Sequence, residues 1–520
     1  MTSIPATDRE TSTDGSPTQH DAPNTPSASG SRLTFRIGPL GALIAPLVFV
    51  LGVIAYFLVL QVIDLNALTL SGIVGLLVAA LFAKSYTRFW EWVITGVSSR
   101  GSVTLVVILL AVTIVAAMIG QADVAGGLIW LVGQTGLPVE LFALVTFLVT
   151  CIISMATGSS LGTMFTAFPI FYPAGVLLGA DPLLLAGAIL SGGLFGDNLA
   201  PISDTTIVSA STQTYRRREG VAEISGVVRS RAPYALTAAA ISAILFAIVG
   251  VMTSGDAADS SGVESGSPLS LVMVIPIVLL LVVAVWKKDI FLAVTVGVAA
   301  GVITGLLSGV LTLADVISVT DGAADGFLIT GITTALPLVG LCIVVFGMIG
   351  VLQGAGTFDQ LVGLLDRLRL ARTPMGAELT IGAGAIITTT LFAGANSPAL
   401  LMFGPVADRI GAGVQLHPYR RANIADCFTM SLGVIVPLSS IFLLISSQLT
   451  QGYDHAVPAL SPLSIFGVAF YPLVLTAVML IAVLTGWGRR FEGPNGAAVR
   501  ERPWESVPEA ASDLRTGDQH

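Results

Sequence analysis

Two carboxylates, an amide and four hydroxyls sit inside one otherwise apolar stretch, Leu190–Thr206: Asp197, Asp204, Asn198, Ser191, Ser203, Thr205 and Thr206. An ionisable residue at membrane depth is expensive and is a candidate for function by default. Gly196 and Pro201 are expected to unwind the helix between them. Unwound backbone presents carbonyl oxygens. Carbonyls, hydroxyls and carboxylates together make an oxygen-rich site for a hard cation such as Na⁺, and sodium is expected at Asp197 and Asp204. A carboxylate in a low-dielectric site can exchange a proton for a cation near neutral pH. The plainer reading is a loop at the membrane face with solvated carboxylates, and the apolar flanks weigh against it.

Other breaks in apolar pattern add candidates. Ala156–Thr163, with Thr157, Ser159, Ser160 and Thr163, reads as a re-entrant turn, since backbone groups freed at membrane depth must line a cavity or be buried in protein. Its counterpart is Ala393–Ala399, where Asn396 and Ser397 are candidates for substrate binding along with Asn198. A small-residue packing seam is the alternative for both. Asp426 follows Asp197 at the spacing of an internal repeat and is the one acid in Arg421–Gln451. It is a second ion-binding candidate, or a structural partner for Arg420 or Arg421. Asp123 is expected to cap a Gly-rich break, Asp408 with Arg409 to form a loop pair, and His417 to lie in a loop.

Elements that place such residues must be membrane helices. The 520 residues are 54% hydrophobic and 11% charged, with a mean hydropathy of +0.88, far too little charge for a soluble surface. Clear apolar runs are Ile37–Ile63, Ala67–Ala83, Ser102–Gly120, Pro233–Thr253, Leu269–Trp286, Ile290–Leu307, Leu336–Leu352 and Ile465–Trp487. With the weaker runs between them they suggest about 12 crossings. They do not alternate as β-barrel strands would. Cys151, Cys342 and Cys427 lack CxxC spacing and histidine neighbours, so they read as packing residues. Residues 1–31 lack the apolar core of a signal peptide and read as a disordered tail, as does the stretch after about Glu492.

Charge and repetition give orientation. Lys and Arg gather at Arg32 and Arg36, Lys84 to Arg100, Arg216 to Arg231, Lys287 and Lys288, Arg367 to Arg372, and Arg489 with Arg490, which the positive-inside rule places in the cytoplasm. Ser254–Ser267 has none. Met118-Ile119-Gly120 recurs as Met348-Ile349-Gly350, and Val93–Val97 recurs as Leu328–Ile332. These two offsets, and that between Asp197 and Asp426, are nearly the same. Basic residues precede the first Met-Ile-Gly copy and follow the second, so the two halves run in opposite senses, as in many secondary transporters.

The stretch Thr157–Thr206 resembles the NhaC family of Na⁺/H⁺ antiporters. That family pairs a TGxSxGT element with a later GAxxSGxxFGDxxSPxSDTT element, matched here by Thr157–Thr163 and Gly187–Thr206. Two positions depart: Asn198 stands where the family usually has Lys, and Ala425 where it usually has Glu. The resemblance implies ion or proton binding by Thr157, Ser159, Ser160, Thr163, Asp197, Ser203, Asp204, Thr205, Thr206 and Asp426. Relatives of the family exchange organic acids such as malate and lactate with coupled ions.

The expectation is an all-α polytopic membrane protein of two inverted repeats, with re-entrant hairpins and broken helices. Its parts are a cytoplasmic tail 1–36, a repeat 37–253, an extracytoplasmic linker 254–268, a repeat 269–487 and a cytoplasmic tail 488–520. The expected activity is Na⁺/H⁺ antiport by alternating access in a bacterial or archaeal cell membrane. The alternatives are coupled transport of a small organic acid or amino acid and, remotely, an ion channel. No zinc, Ser-His-Asp or phosphate-loop pattern points to an enzyme. No cofactor is expected beyond the transported Na⁺ and H⁺. The partners are the lipid bilayer and a second copy of the chain in a homodimer, with no nucleic acid.

Overall fold

Apolar runs become helices, several of them started by a capping residue followed by proline. The computed structural model describes residues 32–503 apart from 61–64, 125, 128–129, 131–137, 254–266, 288–289, 321, 358–359, 361–368, 438–439 and 452–456. The tail before residue 32, most of the expected linker and residues 504–520 lie outside the described residues. The helices are α1 (Ile44–Ile54), α2 (Leu65–Phe82), α3 (Tyr86–Val97), α4 (Arg100–Gln121), α5 (Phe142–Thr157), α6 (Ser160–Leu177), α7 (Pro182–Leu199), α8 (Asp204–Ser211), α9 (Ile224–Thr253), α10 (Val274–Lys287) and α11 (Ile290–Ser308). They continue with α12 (Leu313–Val316), α13 (Phe327–Gly354), α14 (Pro374–Leu391), α15 (Asn396–Gly413), α16 (Pro418–Thr429), α17 (Ile441–Gln448), α18 (Pro462–Val468) and α19 (Phe470–Thr485). Two small hairpins pair Ser318–Thr320 (β1) with Ala323–Asp325 (β2) and Phe491–Glu492 (β3) with Ala498–Val499 (β4). The start signal recurs: Asp181, Thr373, His417 and Ser461 each cap a helix whose first residue is proline.

This is a polytopic all-α membrane protein. By length and composition seven helical stretches among the described residues can cross a membrane, or eight with the α18–α19 pair, which bends by 54°. The expected count of about 12 therefore relies on shorter helices such as α1 and α2. Large apolar side chains stand exposed on peripheral helices: Leu47 and Leu51 on α1, Ile73 and Leu77 on α2, Ile275 and Val278 on α10. That surface suits hydrocarbon and not water. The core lies around α7, where every residue from Leu184 to Leu199 is buried. It packs against α5, α6, α9, α18 and α19.

Element order repeats. The succession α5, α6, α7 recurs at nearly constant spacing as α14, α15, α16. In each set the two arms of a helical hairpin pack on each other and on the third helix. The Met-Ile-Gly helices, α4 and α13, pack against each other.

Several sequence expectations need correction. The run Ile37–Ile63 begins with a 3₁₀ turn, Pro39–Leu43, and loosens into a π turn at Ala55–Val59. The run Ile465–Trp487 breaks at Ala469, where φ −74° and ψ 66° leave the helical region. Leu33 and Phe35 are buried, and the Leu33 amide donates to the Gly354 carbonyl at 2.8 Å, so the end of the expected tail is part of the fold. The segment from Arg489 to Val499 is likewise built in: Glu492 is buried and accepts the amides of Arg216 and Arg217 at 2.6 and 2.7 Å. Burial of both strand residues, Phe491 and Glu492, is what a disordered stretch could not provide.

Candidate functional site

Gly158 ends α5 in the left-handed region, φ 67°, and lets the chain reverse at once into α6. A side chain at Gly158 would strike Ile202 at 2.6 Å, so the hairpin tip rests directly on the segment that follows α7. That segment, Ala200–Ser203, is where the helix breaks before resuming as α8. The expected unwinding from Gly196 is corrected. Gly196 is helical, and its missing side chain lets α7 touch α5, since a Cβ there would collide with the Met155 nitrogen. Pro201, which cannot donate a helical hydrogen bond, falls in the break itself.

Tip and break converge on Asp197. One carboxylate oxygen, Oδ2, accepts the Ser160 hydroxyl at 2.7 Å and the Ser160 amide at 3.3 Å. The other, Oδ1, accepts the Ser203 hydroxyl at 2.5 Å. Ser203 in turn lies 2.9 Å from the Thr205 hydroxyl. Asp197 is 3% exposed, and no Lys or Arg pairs with it among the described residues. An ionised carboxylate buried without countercharge is unfavourable. A proton or a bound cation would each relieve it.

Asp204 opens α8 and is exposed. Its Oδ1 accepts the Thr205 amide at 2.9 Å, and its Oδ2 accepts the hydroxyl of Ser397 in a short contact. Ser397 belongs to the tip between α14 and α15, which turns through Ala393 and Gly394 at φ 53° and 84°. Both hairpin tips therefore reach the break in the first half, one at Asp197 and one at Asp204. Asn396 is buried, gives its amide to the Met430 sulfur at 2.8 Å, and leaves Oδ1 without a partner.

Other candidates serve the tip's own geometry. Thr157 and Thr163 hydroxyls lie 3.1 Å apart, Thr163 donates to the Ser159 carbonyl at 2.8 Å, and the Ser159 hydroxyl caps α6 by accepting the Gly162 amide at 3.2 Å. Asp123 accepts the Gly126 amide at 3.0 Å, as a cap should.

Asp426 stands apart. It is fully buried in α16, and its Oδ2 lies 2.6 Å from Arg231 Nη1 and accepts the Ser209 hydroxyl at 3.0 Å. Arg231 is also fully buried. It donates to the Asn198 carbonyl at 2.6 Å, to Thr206 at 3.1 Å, to Ser209 at 3.2 Å and to Asn423 at 3.1 Å. Sequence reading placed Arg231 in a basic loop. It lies instead within α9, and an arginine next to a helix start gives no signal of its burial. Thr206 and Asn198 are thereby drawn to the arginine rather than to Asp197. The Asn198 side chain accepts the Tyr471 hydroxyl at 3.2 Å.

Neither expected arginine pairs with Asp426. Arg420 holds Glu378 at 2.8 Å, and Arg421 holds Asp408 at 2.9 Å, with Arg216 on the same carboxylate at 2.6 Å. Asp408 is thus a buried helix residue, not half of a loop pair. These pairs join α14, α15 and α16 in a polar collar near the starts of α14 and α16. There His417 caps α16 by accepting the Tyr419 amide at 3.2 Å, and burial pulls its imidazole down to about 4 despite a contact with the Gly496 carbonyl. Glu223, although partly desolvated, is drawn down to about 2 by the hydroxyls of Tyr419 and Tyr215 and by Arg218.

Residues 17–251 match the Na⁺/H⁺ antiporter family. The chain is 29% identical over 324 residues to the malate-2H⁺/Na⁺-lactate antiporter of Bacillus subtilis, covering 58% of this chain and 66% of that one. It is 33% identical over 136 residues to the Na⁺/H⁺ antiporter NhaC of Alkalihalophilus pseudofirmus, covering 26% and 29%. It is 26% identical over 217 residues to the arginine/ornithine antiporter ArcD of Halobacterium salinarum, covering 41% and 42%. The matched stretches thus span just under two thirds of the first of these relatives and less than half of the other two. A solved transporter structure, YdaH of Alcanivorax borkumensis, aligns with 75% of this chain and 91% of its own at TM-score 0.37 and 11% identity. The stretch that matches the Na⁺/H⁺ antiporter family is the one that carries Asp197, Asp204 and Arg231.

Proposed function

We propose, for a chain whose first half matches the Na⁺/H⁺ antiporter family, that it is a secondary transporter exchanging Na⁺ for H⁺ at Asp197. The observation that carries this is the shell of Asp197: a buried carboxylate held by the hydroxyls of Ser160 and Ser203 and by no cation among the described residues. A hydroxyl can turn either its proton or its lone pairs inward. With Na⁺ present, Ser160, Ser203 and Thr205 offer lone pairs and Asp197 supplies the charge. When Na⁺ leaves, a proton takes its place on the carboxylate. Asp204, exposed and held by Ser397 from the other half, is the outer acid that a cation meets first. Movement of one hairpin tip relative to the other would then change access to Asp197.

The same reading places the protein in the cell membrane with both termini and the polar collar in the cytoplasm, by the basic residues gathered there. The matching order of α5–α7 and α14–α16 supports an inverted repeat. Reconstituted vesicles test the activity: an imposed pH gradient should drive Na⁺ counterflow in the native protein and none in Asp197→Asn. Equal flux from both would sink the assignment.

A second reading is supported by the 29% identity to a malate-2H⁺/Na⁺-lactate antiporter. A carboxylate cargo would then meet the hairpin tips, where Asn396 keeps an unpartnered oxygen and Ser397 a hydroxyl. Arg420 and Arg421 are already committed to Glu378 and Asp408, so they do not serve it. Uptake of labelled malate, lactate and arginine into the same vesicles separates the readings.

A further inference from the structure

At the collar end of α19 a cleft of about 600 Å³ opens between the first turn of α14 and the β3–β4 hairpin. Arg489, Arg490 and Arg500 line it, with Thr373 and Met375 from the α14 start and Phe491 at its back. None of these residues takes part in the transport site described above.

The charge balance of this cleft is uneven. Arg489 donates to Glu378 at 2.7 Å and to the Val483 carbonyl at 2.6 Å, while its Nε is buried without a partner. Glu378 is already held by Arg420. Arg490 and Arg500 have no ion pair among the described residues. Glu492 is turned away to the amides of Arg216 and Arg217. Three guanidinium groups therefore line the cleft, and no carboxylate among the described residues does. The α14 macrodipole adds its positive end over 18 residues. Planar arginine forks match phosphate oxygens better than a single carboxylate.

Next in the chain to the cleft residues Thr485 and Gly486, α19 and its exit show exposed apolar side chains, Ile481, Leu484 and Trp487, each 41–60% exposed. A cationic cleft followed by exposed apolar side chains suits an amphiphile whose polar end is anionic.

We propose that this cleft binds a phosphate-bearing anion through Arg489, Arg490 and Arg500. An anionic phospholipid headgroup and soluble phosphate share that chemistry. The exposed apolar side chains favour the lipid. Two ion pairs that share Glu378, Arg489–Glu378 and Glu378–Arg420, connect the cleft to α16.

The test uses the full chain purified in an uncharged detergent. Thermal unfolding is followed while phosphatidylglycerol, phosphatidylcholine or inorganic phosphate is added, the last against chloride at equal ionic strength. Phosphatidylglycerol should raise the midpoint and phosphatidylcholine should not. In the double variant Arg490→Gln/Arg500→Gln the half-saturating concentration should rise at least about tenfold, from loss of two charge-assisted contacts. Neither residue holds another side chain, so the variant keeps its fold. A control, Lys84→Gln/Arg88→Gln, should titrate as the native protein does. If inorganic phosphate alone stabilises, and the double variant loses that effect, the same cleft is a soluble-phosphate site. Absence of stabilisation by either anion overturns the proposal. So does an unchanged titration in the double variant, or an equal loss in the control.

Discussion

Asp197 and Asp426 occupy matching places in the two halves, and both are buried in helices that pack on a hairpin. Their partners differ in kind. Asp197 is held by Ser160 and Ser203, whose hydroxyls can reorient, whereas Asp426 is clamped at 2.6 Å by Arg231, whose other donors are fixed on Asn198, Thr206 and Asn423. A hydroxyl shell can give up its anion to a proton or a cation at small cost. A guanidinium buried to 0% exposure cannot lose its carboxylate without leaving a bare charge. The repeated frame thus holds one acid bonded by hydroxyls and one acid paired to an arginine. The arginine responsible comes from α9, at the end of the first half, and ties that half to α16 of the second.

The comparison breaks most sharply at Asp197. Asp197→Asn should lower Na⁺-dependent proton flux by at least about 100-fold while unfolding at nearly the native temperature, because an amide can still bond to Ser160 and Ser203. Flux and thermal unfolding on one preparation check both halves of that statement.

Asp426→Asn should do the reverse. Leaving Arg231 unpaired should destabilise the protein by about 3–5 kcal/mol, and the paired change Arg231→Met with Asp426→Leu should recover much of it. A stable Asp426→Asn protein with no transport would instead make Asp426 a second transport acid and undo the contrast.

Smaller effects grade the shell itself. Ser203→Ala removes a 2.5 Å bond to Asp197 and should raise the KM for Na⁺ about tenfold, with a weaker effect on kcat. Ser397→Ala, which touches the exposed Asp204, should raise it only about two- to threefold, since a contact open to solvent is worth less. A larger effect from Ser397 than from Ser203 would move the binding centre outward to Asp204.

The smallest effect lies in the collar. Burial holds His417 down at about 4, below its ordinary 6.5. The unfolded chain therefore binds more protons between those values, and the stabilising contribution of a neutral His417 is full above about 6.5 and lost as pH falls towards 4. His417→Gln should flatten the decline of the unfolding temperature between about pH 6.5 and 4 while leaving the flux of Asp197 unchanged.

Much of this was legible along the chain. The two acids, the hydroxyls beside Asp197 and both tips stand out because polar residues interrupt apolar runs. Pro201 and Gly158 mark a break and a turn by their own backbone limits. Gly196 misled for a physical reason: glycine both loosens a helix and permits close contact, and only the position of Met155 shows which use applies here. Arg231 was missed because its neighbours Arg229 and Pro233 make a loop-like local pattern, while the carboxylate that holds it lies in the other half of the chain.

The sequence by itself determined what was affordable in a membrane: apolar helices, their cap-and-proline starts, a repeated order of elements, and the few positions where a charge interrupts hydrocarbon. Those follow from local terms, namely side-chain transfer and backbone geometry. Only the tertiary structure decided which charge is free and which is neutralised. That depends on distances between segments remote in the chain, and a salt bridge such as Arg231–Asp426 leaves no mark on the local pattern of either partner.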